Sequence, residues 1–450
     1  MKNDLNRQLG LFPVTNIVIA NMIGAGIFTI SGLLMEKLHN PVVMLVLWLV
    51  GGLIALMGAL SYGKLGSVIP EAGGEYVFLS RLYHPLLGFL SGWVSFIVGF
   101  STAIAASAIG FGEYLGAAIY HSEASGQLFE SISLKVFKKI SAVLIVVLFT
   151  IIHLRGIKTG TLIQNVLTVL KIILIAGLIG AGLLAGKGNI SNLVPETTFQ
   201  FDFAGMKSIG LSLMWIMFAY SGWNAATYIG SEIKMPSRNI PGSLILGTGV
   251  VMILYFFLNI FFIYSSGKEM EGIISVGAFS ASLAFGPVFE KIISVLISFV
   301  LISSLSAFII LGPRVYYAMA RDSCFFRFAA EVNPRHNVPA KAILLQAGVS
   351  LIILLSGTFD QILTYLGFSL GIFPIIAVLS VYKLKLMNGQ KLFRSVYDFF
   401  PLLYVLPCTI ILVLAYFERP VESSIAIITI LLGVIVYKWL KKKNRFSSTM

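Results

Sequence analysis

NIVIANMIGAGIFTISG, residues Asn16 to Gly32, is apolar enough to sit in hydrocarbon, yet Gly24-Ala25-Gly26 interrupts it halfway along. Two glycines around one alanine leave little side-chain bulk over the backbone and weaken a helix at each glycine. In lipid, backbone that leaves the helix must satisfy its polar groups on protein, water or a ligand. A helix broken at membrane depth therefore points to a binding site, with freed amides and the N-terminus of the second half-helix directed at it. Small residues also line close helix–helix contacts, so this segment alone leaves both readings open.

Composition places the rest of the chain around it. Of 450 residues, 57% are hydrophobic and only 11% charged, where a soluble domain carries about 25% charged residues. The chain reads as an all-α polytopic membrane protein. Its net charge of +13 does not indicate a nucleic-acid partner, because most Lys and Arg stand at the ends of apolar runs, as membrane topology requires. Spans are expected at about 11–36, 41–63, 85–119, 137–154, 160–186, 206–231, 242–266, 286–320, 340–356, 361–382, 399–417 and 421–440, about twelve transmembrane helices. The runs at 85–119 and 286–320 exceed the need of a hydrocarbon core about 30 Å thick, so those helices tilt or project. The short polar start, residues 1–10, is followed by a run too long for a signal peptide, which is expected to stay in the mature protein. With that start inside, the inner segments hold roughly two thirds of the 32 Lys and Arg, which predicts a cell (plasma or inner) membrane protein with both termini cytoplasmic.

The second half repeats the opening feature. The run from about Met206 to Glu232 carries a small-residue break at Ser221-Gly222. It lies five spans after the first and so enters from the opposite face. Paired interruptions in inversely oriented halves are the best sequence pointer to a transporter's binding site.

The residues at both breaks resemble a known family. NMIGAGIF is similar to the glycine-small-glycine signature of the amino acid–polyamine–organocation transporters. FAYSGWNAATYIGSEIKMPSRNIPGSL resembles the sixth helix and its exit in the L-type amino acid transporter branch, with Phe218, Trp223, Asn224, Glu232, Pro236, Arg238, Ile240 and Pro241 in register. LGPRVYYAMARD (Leu311–Asp322) and PEAGGEYVFLSR (Pro70–Arg81) match as well. The resemblance implies a LeuT-type 5+5 inverted repeat with interrupted helices 1 and 6. Residues 11–186 would form the first repeat, 206–385 the second, 399–440 two C-terminal helices, and 441–450 a basic cytoplasmic tail.

By the same resemblance, the substrate's α-carboxylate meets amides at Gly24, Ala25 and Gly26, and Ile27 belongs to the same site. Its α-amino group meets carbonyls around Ile23 and at Phe218, Ala219 and Ser221. A carboxylate does favour the positive end of a half-helix and an ammonium favours freed carbonyls. Phe218 corresponds to the aromatic that closes over the substrate, or is an ordinary core aromatic. Asn224 is expected to brace the second break. Two departures stand out. Ala25 stands where many relatives have serine, and Gly242 where relatives usually have arginine after Ile240-Pro241, so no inner-gate contact is assigned there.

Lys171 lies near the middle of the fifth span, too deep to snorkel, where a charged amine is expensive. QNVLTVLK resembles relatives in which this lysine takes roughly the place of a sodium ion. It then acts as a fixed cation surrogate for the unwound carbonyls, gains and loses a proton in each cycle, or merely joins helices. Asn21, Gln164, Asn165 and Asn259 read as interhelical hydrogen-bond partners. Glu113 belongs to an outer vestibule or the interface, and the Ser298–Ser306 cluster can back-bond its own helix.

The expected function is secondary active transport of an L-amino acid by alternating access, as a sodium-independent exchanger. The alternative is a proton-coupled symporter that titrates Lys171. A membrane-embedded enzyme needs facing His, Asp, Glu or Cys clusters, but His39, His84, His121, His153 and His336 fall at span ends or in loops. A channel needs a filter-like repeat or a charge ring, and neither is present. No acidic residue lies within several residues of Gly24 or Ser221, which favours a neutral side chain in the substrate. No cofactor and no metal are expected. Some animal L-type transporters bond an accessory glycoprotein through a cysteine between helices 3 and 4. The loop from about Tyr120 to Lys139 has none, so a chain that works alone, possibly as a monomer, is expected.

Overall fold

The computed structural model describes residues 5–120, 133–196, 198–356 and 359–446. It is 82% helix. Helix α1 (Leu11–Met22) stops at the Gly-Ala-Gly break and α2 (Gly26–Leu38) resumes beyond it. After α3 (Pro41–Val68) and the short α4 (Glu75–Leu82) comes one long segment: α5 (Pro85–Val94), a π-helical stretch Ser95–Thr102, and α6 (Ala103–Tyr120). Next are α7 (Leu134–Leu154), α8 (Ile157–Leu184) and α9 (Phe203–Ala219), then α10 (Pro236–Ser266), α11 (Val276–Phe285) and α12 (Pro287–Arg321). The chain closes with α13 (Ala340–Ser356), α14 (Phe359–Met387), α15 (Phe400–Glu418) and α16 (Pro420–Phe446). Among the described residues, ten helical segments are long and apolar enough to cross a membrane, while α9 and α13 are apolar but shorter.

Local signals explain where the helices start. Asn40 caps α3 by accepting from the Val43 amide, with Pro41 in the first turn, and Asp202 caps α9 by accepting from the Gly205 amide. These side chains take up amides that a helix N-terminus leaves without partners. Helix α8 shows how the bundle sorts its faces. Gln164, Thr168, Lys171 and Ile175 are buried at helical spacing, while Leu162, Val166 and Ile173 are exposed. The polar residues face protein and the apolar ones face outward, as a lipid solvent demands.

The second break differs from the expected symmetric one. Helix α9 ends at Ala219, and only two 3₁₀ turns, Ala225–Tyr228 and Gly230–Glu232, precede α10. Gly222 sits at φ +98°, where a Cβ would lie 2.3 Å from Asn21 Nδ2, and Met235 is left-handed at φ 44°. Backbone held in these conformations at both ends cannot propagate an α-helix.

Two contacts secure this arm. Glu232 is buried against Arg314 of α12, with Nε–Oε1 at 2.8 Å and Nη2–Oε2 at 3.2 Å, a bidentate geometry. The extended residues before α1 strap onto the same arm: the Gln8 and Leu9 amides donate to the Glu232 carbonyl, and the Lys234 amide donates to Leu9.

Candidate substrate site at two helix breaks

The residues between α1 and α2 cannot close helical hydrogen bonds, so their carbonyls need other partners. Lys171 of α8 supplies them. Its Nζ donates to the Ile23 carbonyl at 2.6 Å, the Ala20 carbonyl at 3.3 Å and Ser304 Oγ of α12 at 2.9 Å. Ser304 in turn donates to the same Ile23 carbonyl at 2.5 Å. On the other side of the break, the Tyr255 hydroxyl of α10 lies 2.8 Å from the Met22 carbonyl and 3.1 Å from the Ala219 carbonyl. One side chain thus ties the end of α1 to the end of α9. Close approach of the two is possible because position 26 is glycine: a Cβ there would meet Ala219 at 3.1 Å.

A cavity lies against these broken ends. Gly24, Ala25, Gly26, Phe218, Ala219 and Ser221 line it, together with Asn21 and Thr29. Ile23 and Ile27 are fully buried and lie behind it; both lone pairs of the Ile23 carbonyl are taken by Lys171 and Ser304. The Thr29 hydroxyl turns back onto the Ala25 and Gly26 carbonyls. Asn21 Oδ1 is buried without a hydrogen-bond partner, an acceptor facing a cavity. Gly26, the first residue of α2, lines the same space, so it offers an anion the helix end and an ammonium an acceptor.

A second cavity adjoins the first, sharing Asn21, Gly99, Phe218, Ser221, Phe308 and Leu370. Asn224 lines this one rather than the first. Its Nδ2 donates to Glu75 Oε1 at 2.7 Å, and Tyr228 and Ser91 donate to the same carboxylate at 3.3 Å each. Burial pushes the Glu75 carboxyl up, while these donors pull it down. The acidic residue that the sequence lacks around the breaks therefore arrives from α4, a segment about 150 residues away from Asn224.

Sequence reasoning missed Glu75, Tyr255 and Ser304. Ser304 stood within a serine cluster that back-bonding explained, yet Ser303, Ser304 and Ser306 each contact another helix, through Gln164, Lys171 and His153. Tyr255 sits in an apolar run with no local signal. The remaining polar residues behave as interhelical partners: Asn16 bonds Asn165, and Ser31 bonds Asn259. Glu113 pairs with Lys138 at 2.5 Å on an exposed face.

Two helices that stop at facing breaks around a shared cavity, inside a bundle of lipid-length spans, define a secondary transporter. The Amino acid permease profile matches residues 9–436, and the chain belongs to that family. It is a multi-pass membrane transporter and not an enzyme. It is 29% identical over 452 residues to the Serine/threonine exchanger SteT of Bacillus subtilis, covering 98% of each chain. It is 26% identical over 438 residues to the human b(0,+)-type amino acid transporter 1, covering 96% of this chain and 88% of that one. It is also 26% identical over 462 residues to the human Large neutral amino acids transporter small subunit 2, covering 98% and 83%.

Proposed function

We propose that the chain is a sodium-independent exchanger of neutral L-amino acids, built as twelve spans in a LeuT-type 5+5 inverted repeat with two C-terminal helices. The repeats comprise residues 11–186 and 206–385, and both termini are cytoplasmic. The substrate carboxylate sits at the Gly24–Gly26 amides, and its ammonium is shared between Asn21 Oδ1 and the carbonyls near Phe218 and Ser221. Ile23 and Ile27 shape the break from behind, and Asn224 braces the second one.

The observation that carries the exchange mode is the surroundings of Lys171. Two of its three partners are carbonyls, and the third, Ser304, spends its proton on Ile23. The nitrogen needs all its protons to satisfy them. A group held that way serves as a fixed cation and is poorly placed to shuttle a proton. Uptake of labelled amino acid into proteoliposomes tests this. Uptake should require internal amino acid and ignore a pH gradient, whereas accumulation in empty vesicles driven by an inward proton gradient would establish the symporter instead.

Phe218 borders both cavities, which supports its role as the ring that closes over substrate. Phe218→Ala should remove transport while the melting temperature changes little. A core-only ring would instead cost about 3–5 kcal/mol of stability, and a variant that melts early yet transports normally when cold sinks the gate assignment.

The loop that would carry a disulfide to an accessory subunit has no cysteine, although its residues 121–132 lie outside the described residues. Cys324 and Cys408 are free, the latter buried. The purified chain alone should exchange amino acids. Transport that begins only after a second polypeptide is added would refute this.

A further inference from the structure

At the end of the bundle that the exchange reading places in the cytoplasm, α4 runs out at Tyr83 beside the last turns of α14. Tyr83 and one face of α14, from Leu379 through Tyr382, Lys383 and Leu386 to Met387, line a shallow groove there. Leu386 and Met387 are 60% and 63% exposed, so open apolar surface adjoins a cation. The neighbouring charges are already matched. Arg81 pairs with Glu71 at 3.1 Å and with Asp322 at 3.4 Å. Lys385 pairs with one oxygen of Asp398, and the other oxygen accepts from the Arg394 and Ser395 amides. Lys383 differs from these. Among the described residues no carboxylate pairs with it, and its Nζ lies 4.4 Å from the centre of the Tyr83 ring. A ring face attracts and orients an ammonium but leaves its charge in place.

We propose that this groove binds an anionic phospholipid of the cytoplasmic leaflet, with the headgroup phosphate on Lys383 and the acyl chains against the apolar residues beside it. The depth is right for a headgroup. Trp439 of α16, which packs on α14, and Tyr397 before α15 both stand exposed at this end, and such aromatic residues mark the membrane–water interface. Basic pockets between spans on the cytoplasmic side suit anionic headgroups. A soluble anion would answer the charge and leave the apolar stripe uncovered. A zwitterionic lipid would cover the stripe but bring a cation of its own, leaving Lys383 uncompensated. The occupant would rest on two elements of the transport site, since α4 carries Glu75 and Leu370 of α14 borders both cavities.

The test reads binding, so it stands whether or not the chain exchanges amino acids. The melting temperature of the detergent-purified protein is followed while phosphatidylglycerol, or phosphatidylcholine with the same acyl chains, is added. Phosphatidylglycerol should stabilise wild type at the lower concentration. Lys383→Gln should raise its half-maximal concentration about fivefold, the usual worth of one lysine at an anionic surface, and leave the phosphatidylcholine curve where it was. Lys383→Arg, which keeps the charge, should stay near wild type. Lys442→Gln removes an exposed lysine at the same end of the bundle but outside the groove, and should also stay near wild type. Equal stabilisation of wild type by the two lipids overturns the site, as does an unchanged phosphatidylglycerol curve in Lys383→Gln. A loss in Lys442→Gln as large as that in Lys383→Gln assigns the attraction to diffuse charge and overturns it too. Glycerol 3-phosphate, the headgroup chemistry without chains, should have no effect at the same concentrations. Stabilisation by it that equals that of the lipid assigns the groove to a soluble phosphate and rejects the lipid.

Discussion

Lys171→Ala is expected to abolish amino acid exchange, by two orders of magnitude or more, while most of the bundle still assembles. The ammonium provides the Ile23 and Ala20 carbonyls with a donor and positions Ser304. Its loss removes charge-assisted bonds worth about 1.5–3 kcal/mol each and leaves buried acceptors unsatisfied. A loss of about 3 kcal/mol at the binding-competent shape of the break is already more than a hundredfold. Lys171→Met, which keeps the length and loses the charge, should fare no better. Labelled exchange in proteoliposomes checks this, with substrate-induced thermal shifts reporting binding separately. A Lys171→Met carrier with near-normal exchange would remove the cation from the mechanism.

The largest effect on stability is expected at Arg314. Its guanidinium is 1% exposed and its partner Glu232 is fully buried. Removing one member of such a pair strands the other charge in a low-dielectric interior, at a cost of about 3–5 kcal/mol. Arg314→Met and Glu232→Gln should each lower the melting temperature of the purified protein sharply. Joining Arg314→Met with Glu232→Leu should recover much of the loss, because no orphan charge remains. A double variant as unstable as the worse single one would show that the pair acts through shape and not charge.

The first break was legible because its signal is local: Gly24-Ala25-Gly26 leaves a mark within a single apolar run. The second was legible only in part. Ser221-Gly222 marked where α9 ends, but nothing in the following residues announced that no α-helix would resume before Pro236. That outcome is set by Gly222 packing on Asn21 and by Met235 at positive φ, and one of these is a contact across the fold. Lys171 could be singled out because a charge at mid-span is conspicuous wherever it points. Glu75 could not, since a carboxylate in a polar loop helix looks like any solvated acid until tertiary structure folds it inward. Tyr255 illustrates the same limit, because one tyrosine in an apolar helix carries no sign of the two carbonyls it reaches.

The strap of Gln8 and Leu9 onto Glu232 and Lys234 has a mechanical consequence. It fastens the start of α1 to the arm beyond the second break, and Tyr255 fastens the other end of α1 to α9. Helix α1 is therefore pinned at both ends to the two sides of the second interruption, like a crossbar riveted to a frame. The bar cannot swing without carrying the frame, so access from that end opens as one movement and not as two separate leaks.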